Sequence, residues 1–303
     1  MNIPSPISTF HSDLFNQFKK QIVLKRDDLI DPIISGNKWR KLKYNTEKFH
    51  QGGYKALLTF GGAYSNHIAA TAEVGRRFNI PTIGVIRGDE LTADSNQTLR
   101  NAADAGMQLL FTSRKEYALR EEKYYHEELR RRHGHILIVP EGGANYYGML
   151  GCMDILTEIE QKVDAVFCAA GTGTTVTGLL MSSDDIKVYA VAALKGGDFL
   201  KDNIKLRLFE AGFDQEMIAE KMDQLILLTD YHFGGYAKFN EDLINFIKLV
   251  EQEEEIMLDQ VYTAKALYAM HDLLSKDLIK EQRIAFVHTG GLQGRQAIQA
   301  LLT

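Results

Sequence analysis

Apolar residues along the chain collect in short runs, and the stretches between the runs read as helices. The runs predict strands at Ile22–Lys25, Ala56–Phe60, Thr82–Ile86, Met107–Phe111, Ile136–Val139, Ala165–Ala169, Val188–Ala192, Leu225–Leu228 and Ile284–His288. Many are rich in Val, Ile and Leu without strict alternation, as expected of strands covered on both faces. Helices are predicted at Asn66–Phe78, Asp94–Ala105, Arg114–Arg132, Glu241–Glu251 and Ala264–Ser275. Strand and helix therefore alternate, which implies βαβ units, a parallel sheet and the α/β class. In such sheets ligands bind where strands end and loops lead into helices.

Composition changes this picture little. The 303 residues suffice for one large or two modest domains, and 45% hydrophobic with 25% charged residues suits a globular protein. A formal net charge of −5 gives no global signal for nucleic acid or an anionic membrane. Two cysteines, Cys152 and Cys168, make no disulfide framework and fit a reducing compartment. The first residues lack the basic start and apolar stretch of a signal peptide, and no apolar run approaches the ~20 residues that span a bilayer, so a cytoplasmic chain without a membrane partner is expected. The acidic run at Glu251, Glu253, Glu254 and Glu255 reads as a solvated helix end.

Five polar or glycine-rich loops follow the strands. In Ser35-Gly36-Asn37-Lys38-Trp39-Arg40-Lys41 a lysine opens a helix, an amine suited to Schiff-base chemistry beside cations that would lower its pKa. In Gly61-Gly62-Ala63-Tyr64-Ser65-Asn66-His67, Ser65 or Asn66 caps a helix whose N-terminus favours a carboxylate. Pro140-Glu141-Gly142-Gly143-Ala144-Asn145 is a glycine turn. Gly171-Thr172-Gly173-Thr174-Thr175 offers backbone N–H groups and hydroxyls at a helix start, the strongest phosphate signal in the chain. Val176 stands where a dinucleotide fingerprint needs Gly or Ala, which argues against a nucleotide-binding oxidoreductase. His288-Thr289-Gly290-Gly291 closes the set. His67 and His288 lack metal-ligand spacing, so no metal is expected. Together a lysine, a phosphate nest and several amides and hydroxyls describe a cofactor that carries both an aldehyde and a phosphate.

The combination resembles the fold-type II pyridoxal-phosphate enzymes, and within them the 1-aminocyclopropane-1-carboxylate deaminase and D-cysteine desulfhydrase family. The matching pieces run in the family's order: Lys25–Leu29, Gly36-Asn37-Lys38 with Arg40–Leu42, Gly61-Gly62 with Ser65–His67, Pro140–Gly143, Gly171–Thr175, Val261–Thr263 with Lys265-Ala266, and His288–Gly291. The resemblance implies pyridoxal 5'-phosphate bound as a Schiff base on Lys38, with Lys41 near its phosphate. It implies the phosphate loop at Gly171, Thr172, Gly173, Thr174 and Thr175, and Asn66 on the phenolic oxygen. It also implies Ser65, Tyr236 and Tyr262 as catalytic groups, Thr263 and Thr289 beside the ring, and a substrate held by Ser65, Asn66, His67 and Tyr262.

The implied fold is a two-domain, three-layer αβα arrangement of parallel sheets, similar to tryptophan synthase β. A smaller domain (44–149) is inserted in a larger one (1–43 and 150–303), with the cofactor in the cleft between them. A homodimer is implied by resemblance alone. Ring-opening deaminases of the family carry Glu after the second tyrosine and Leu in the final loop; Thr263 and Thr289 stand here instead. That favours β-elimination from a small amino acid, D-cysteine to pyruvate, hydrogen sulfide and ammonia, over ring opening of 1-aminocyclopropane-1-carboxylate to 2-oxobutanoate. A binding protein without catalysis on the same fold is the reading of another class. Ala63, Tyr64 and Trp39 depart from the family's pattern.

Overall fold

The structure is a computed structural model that describes every residue except Ser35 and Thr303, and every side chain but those and Gln296. Ser35, which opens the first candidate loop, thus lies outside the described residues. Ten strands are formed among the described residues: β1 (Ile7–Thr9), β2 (Gln21–Lys25), β3 (Ala56–Gly61), β4 (Thr82–Arg87), β5 (Gln108–Thr112), β6 (Ile136–Val139), β7 (Ala165–Ala170), β8 (Lys187–Ala192), β9 (Leu225–Leu228) and β10 (Arg283–Val287). The chain divides into two compact units, one of Met1–Asn37 with Cys152–Thr303 and the other of Lys38–Gly151.

The first unit holds a six-stranded sheet in the order β1-β2-β10-β7-β8-β9, parallel except for β1. Every residue of β7 is buried, because both its faces are covered. Phe167 and Ala169 join a core with Phe286, Leu267 and Met270, whereas Val166, Cys168 and Ala170 join another with Val176, Leu179 and Leu200. The two-residue side-chain period of a strand makes this division. Truncating Phe167 to Ala would cost about 3–5 kcal/mol. The second unit holds a four-stranded parallel sheet in the order β5-β4-β3-β6. There Leu58 and Phe60 of β3 pack with Tyr117, Tyr125 and Leu129, and Leu57 packs with Phe49, Ile80 and Val139. The carboxyl ends of β3, β6, β7 and β10 run directly into four of the five loops, whereas the short helix Asp27–Leu29 separates β2 from the loop at 35–41.

Helix predictions failed where tertiary anchors intervene. The helix expected at Arg114–Arg132 is two helices, Arg114–Tyr117 and Lys123–His133. Ser113 Oγ caps the first, accepting from Glu116 N at 3.1 Å. Tyr117 is buried against Phe60, and Arg120 lies over the Tyr117 ring while its Nε donates to Glu141 at 2.7 Å, so the chain turns there to satisfy packing. The helix expected from Asp94 starts at Gln97, because Asn96 has φ −161° and its Oδ1 accepts from Leu99 N at 3.0 Å. The acidic run is not wholly solvated. Glu254 is buried and accepts from His11 N at 2.6 Å and Ser12 N at 3.1 Å, and Glu251 pairs with Arg295. No described helix is long and apolar enough to cross a membrane.

Candidate active site

In the first unit three of the five loops meet. Gly36 has φ +66°, and a Cβ there would stand 1.8 Å from the carbonyl oxygen of Thr289, so only glycine fits this approach. Asn37 N donates to the same carbonyl at 3.1 Å, and Asn37 Nδ2 donates to Thr175 Oγ1 at 3.0 Å. The Gly36-Asn37 pair is thereby fixed to both the final loop and the glycine-threonine turn. Lys38 follows directly, its Cα within about 3.8 Å of that of Asn37 by covalent geometry.

The turn itself leads into the helix Thr174–Met181 through Gly173 at φ +83°, without a side-chain cap. First-turn N–H groups of a helix have no intrahelical acceptor and carry its positive dipole end. Thr172 and Thr174 share a hydroxyl hydrogen bond of 3.0 Å. A Cβ at Gly171 would stand 3.2 Å from Tyr262 Cε1, so the ring of Tyr262 lies along the turn. Tyr236 meets Tyr262 edge-on at 6.2 Å between centroids. Tyr236 is exposed and Tyr262 half-buried.

Thr263 and Thr289 are both buried. The Thr263 hydroxyl donates to Asp259 Oδ1 at 2.7 Å and accepts from Asp259 N at 3.0 Å. Asp259 also accepts from the backbone N–H groups of Val261, Tyr262 and Thr263 at 2.8–2.9 Å, capping the helix Thr263–Ser275. Burial pushes the carboxyl of Asp259 up from the ordinary range, against the pull of those donors. His288 is fully buried; Gly290 N donates to its Nδ1 at 3.3 Å, so its Nε2 carries the proton donated to Met257 O at 2.7 Å.

The second unit gathers the cations. Lys38, Arg40 and Lys41 lie on the first turns of the helix Asn37–Gly52; Arg40 and Lys41 are buried and Lys38 is half-buried. A Cβ at Gly143 would stand 2.8 Å from Lys41 Cβ and 3.4 Å from His67 Cε1, so the Gly143 turn sits against both residues. Ser65 caps the helix Asn66–Phe78, its Oγ accepting from Ile68 N at 3.3 Å. Asn66 Oδ1 is buried with no hydrogen-bond partner. Thr59 Oγ1 uses its one hydrogen on Val139 O at 2.8 Å, so it accepts from His67 Nε2 at 2.9 Å. His67 Nδ1 is then an acceptor, buried and without a partner. Burial first, and then the charges of Lys38 and Lys41, lower the His67 pKa to about 3. His67 is therefore a neutral imidazole beside two lysines.

A family model described as pyridoxal-phosphate dependent enzyme matches residues 4–290. The chain belongs to that family. A Pyrococcus horikoshii protein with the provisional name 1-aminocyclopropane-1-carboxylate deaminase is 31% identical over 281 residues, covering 90% of this chain and 85% of its own. A Klebsiella pneumoniae protein named D-cysteine desulfhydrase is 26% identical, with 95% of this chain and 92% of its own covered. The crystal structure of a 1-aminocyclopropane-1-carboxylate deaminase homologue superposes with a TM-score of 0.82 at 28% identity, over 98% of this chain and 92% of that one. This pyridoxal-phosphate enzyme has the fold of type II, as expected, and its cofactor is pyridoxal 5'-phosphate. The residues present fit that group. An uncapped helix start at Gly173 suits a phosphate, and the unpartnered amide oxygen of Asn66 suits a polar ring substituent.

Within the first unit Gly171–Thr175, Tyr236, Tyr262, Thr263 and Thr289 come together, and within the second Lys38, Lys41, Ser65, Asn66 and His67 do. Sequence reading gave no role to Asp259 or Lys265. An aspartate just ahead of an apolar helix was a legible cap signal. Lys265 appears in the sequence only as part of the matching stretch at 261–266, and no local feature there marks it as buried, since only the fold buries it.

Proposed function

We propose that this pyridoxal-phosphate enzyme carries out β-elimination on a small amino acid, D-cysteine foremost, using one water to give pyruvate, hydrogen sulfide and ammonia. The observation that carries the choice is Thr263: no carboxylate follows Tyr262, and the hydroxyl there is engaged with Asp259. A hydroxyl keeps the pyridine nitrogen protonated far less well than a carboxylate would, which suits a good leaving group such as thiolate. The relative named D-cysteine desulfhydrase supports the same reading. When bound, the cofactor supplies an electron sink for the pair left at Cα.

The chain's own residues supply the rest. Lys38 would anchor the cofactor, and its Nζ would take the Cα proton. In the first unit the glycine-threonine turn at 171–175 would take the phosphate; Lys41 and Asn66 are the cation and the amide that the second unit would offer to the cofactor. The capped start of the Asn66–Phe78 helix takes the substrate carboxylate. Neutral His67 leaves the neighbouring lysines' charge undivided. Ser65, Tyr236 and Tyr262 position the substrate and protonate the leaving sulfur. Met1–Asn37 with Cys152–Thr303 is read as the large domain and Lys38–Gly151 as the inserted one. A cytoplasmic homodimer completes the reading.

Ring-opening deamination is the second reading, favoured by the 31% identical relative. Purified enzyme offered D-cysteine, 1-aminocyclopropane-1-carboxylate and D-serine side by side decides between them. Sulfide and pyruvate from D-cysteine at the highest kcat/KM is the expected result; 2-oxobutanoate from the cyclopropane as the main product overturns it. No turnover across D- and L-amino acids would leave a binding protein.

A further inference from the structure

Lys265 lies on the apolar helix Thr263–Ser275 and is almost completely buried. Its Nζ donates to three backbone carbonyls: Ala193 O at 3.3 Å, His232 O at 2.8 Å and Gly235 O at 2.8 Å. Each of an ammonium's three hydrogens thus has a carbonyl acceptor. Among the described residues no carboxylate forms an ion pair with it; burial lowers its pKa, and the field of Asp259 offsets part of that. Backbone carbonyls converging on one buried positive charge are the coordination that proteins give to a desolvated monovalent cation.

The carbonyls belong to two segments that flank the candidate site. Ala193 follows β8, and His232 and Gly235 belong to the loop that carries Tyr236. That loop is conformationally demanding: Phe233, Gly234, Gly235 and Ala237 all have φ between 51° and 124°. Non-glycine residues at positive φ persist only where surrounding structure holds them. Without a cation the carbonyls would face one another unscreened, and their dipoles would drive the loop apart.

We propose that Lys265 is a positioning residue whose ammonium serves as a tethered monovalent cation, pinning the Tyr236 loop to the end of β8 and relieving the enzyme of any need for a free ion. Lys265 touches neither substrate nor cofactor in this assignment. Its effect on turnover rests on the reading of Tyr236 as an active-site residue, but its effect on stability does not.

The test compares wild type, Lys265→Ala and Lys265→Met, as holoenzymes, in choline, sodium, potassium and ammonium chloride at equal ionic strength. Thermal midpoint is read first, then kcat with the best substrate of the panel. Wild type should be indifferent to the salt. The Ala variant should lose about 10-fold or more in kcat in choline chloride, about the worth of one buried charge-assisted hydrogen bond. It should regain most of that, with a higher midpoint, in potassium or ammonium chloride. The Met variant fills the volume without a charge and should be rescued by no salt. An Ala variant with the same midpoint in all four salts overturns the proposal, as does one that no cation makes soluble. A Met variant with wild-type midpoint and kcat does so too. Salt-dependent midpoints without any change in kcat would retain the tethered cation and reject instead the role of Tyr236.

Discussion

The two units satisfy the polar groups of their candidate residues in opposite ways. In the Met1–Asn37 and Cys152–Thr303 unit Lys265 is answered by three carbonyls, Thr263 by both ends of Asp259 and His288 by Met257 and Gly290, although the buried Oε1 of Gln260 has no partner. In the Lys38–Gly151 unit Asn66 Oδ1, His67 Nδ1 and Thr71 Oγ1 are buried without a partner. A native protein tolerates such atoms where a ligand is to complete them. One unit therefore reads as a finished seat, and the other as a set of groups whose partners arrive with cofactor and substrate. Damage to the first should show in stability, and damage to the second in function.

The largest expected effect is at Lys38. Lys38→Ala should abolish the visible absorbance of the holoenzyme and lower kcat by about 10³-fold or more, with an unfolding midpoint close to that of the wild-type apoprotein. Retained activity would end the assignment of Lys38 and, with it, the functional half of the contrast.

Asp259→Ala probes the other side. Losing four accepted hydrogen bonds at a fully buried helix cap should lower unfolding free energy by about 3 kcal/mol, measured by urea titration of the apoprotein. A loss under about 1 kcal/mol would mean that the first unit is not braced by its polar network.

Asn66→Ala should do the reverse. Cofactor affinity or kcat/KM should fall by about 30-fold, about 2 kcal/mol, while apoprotein stability changes by less than about 0.5 kcal/mol because a buried unpartnered oxygen is removed. A large stability loss at unchanged affinity would erase the distinction between the units.

The smallest effect is a slope in pH. His67 is neutral in the folded protein down to about pH 3, whereas an unfolded histidine binds a proton below about 6.5. The unfolded state thus holds the extra proton between those values, and stability declines as pH falls through that window. The contribution is about 1.4 kcal/mol per pH unit at its steepest. In the apoprotein His67→Asn should flatten the decline between pH 6.5 and 5 relative to wild type; identical slopes would show that His67 is protonated when folded.

Much of the candidate site was legible because its proposed residues sit in contiguous loops at strand ends. Gly36-Asn37-Lys38, Ser65-Asn66-His67 and Gly171–Thr175 could each be read as local words, and β7 and the Ile284–Val287 part of β10 as unbroken apolar runs. The misread helices share another cause. The stretch Arg114–Arg132 has helix-forming residues throughout, and only the burial of Tyr117 and the reach of Arg120 to Glu141 break it. Glu254 looks like one more surface acid until the backbone of His11 and Ser12 is brought to it from 243 and 242 residues away.

The sequence by itself determined the α/β class, the order of the strands along the chain and the loops that are candidates for chemistry, since hydrophobic period and turn residues are local properties. Only the tertiary structure decided which groups are answered and which are left waiting. It puts carbonyls around Lys265, seals Asp259 from water, and sets His67 beside two lysines. Each depends on desolvation, and for Lys265 and His67 on partners distant in sequence as well, neither of which is written in the residue that feels them.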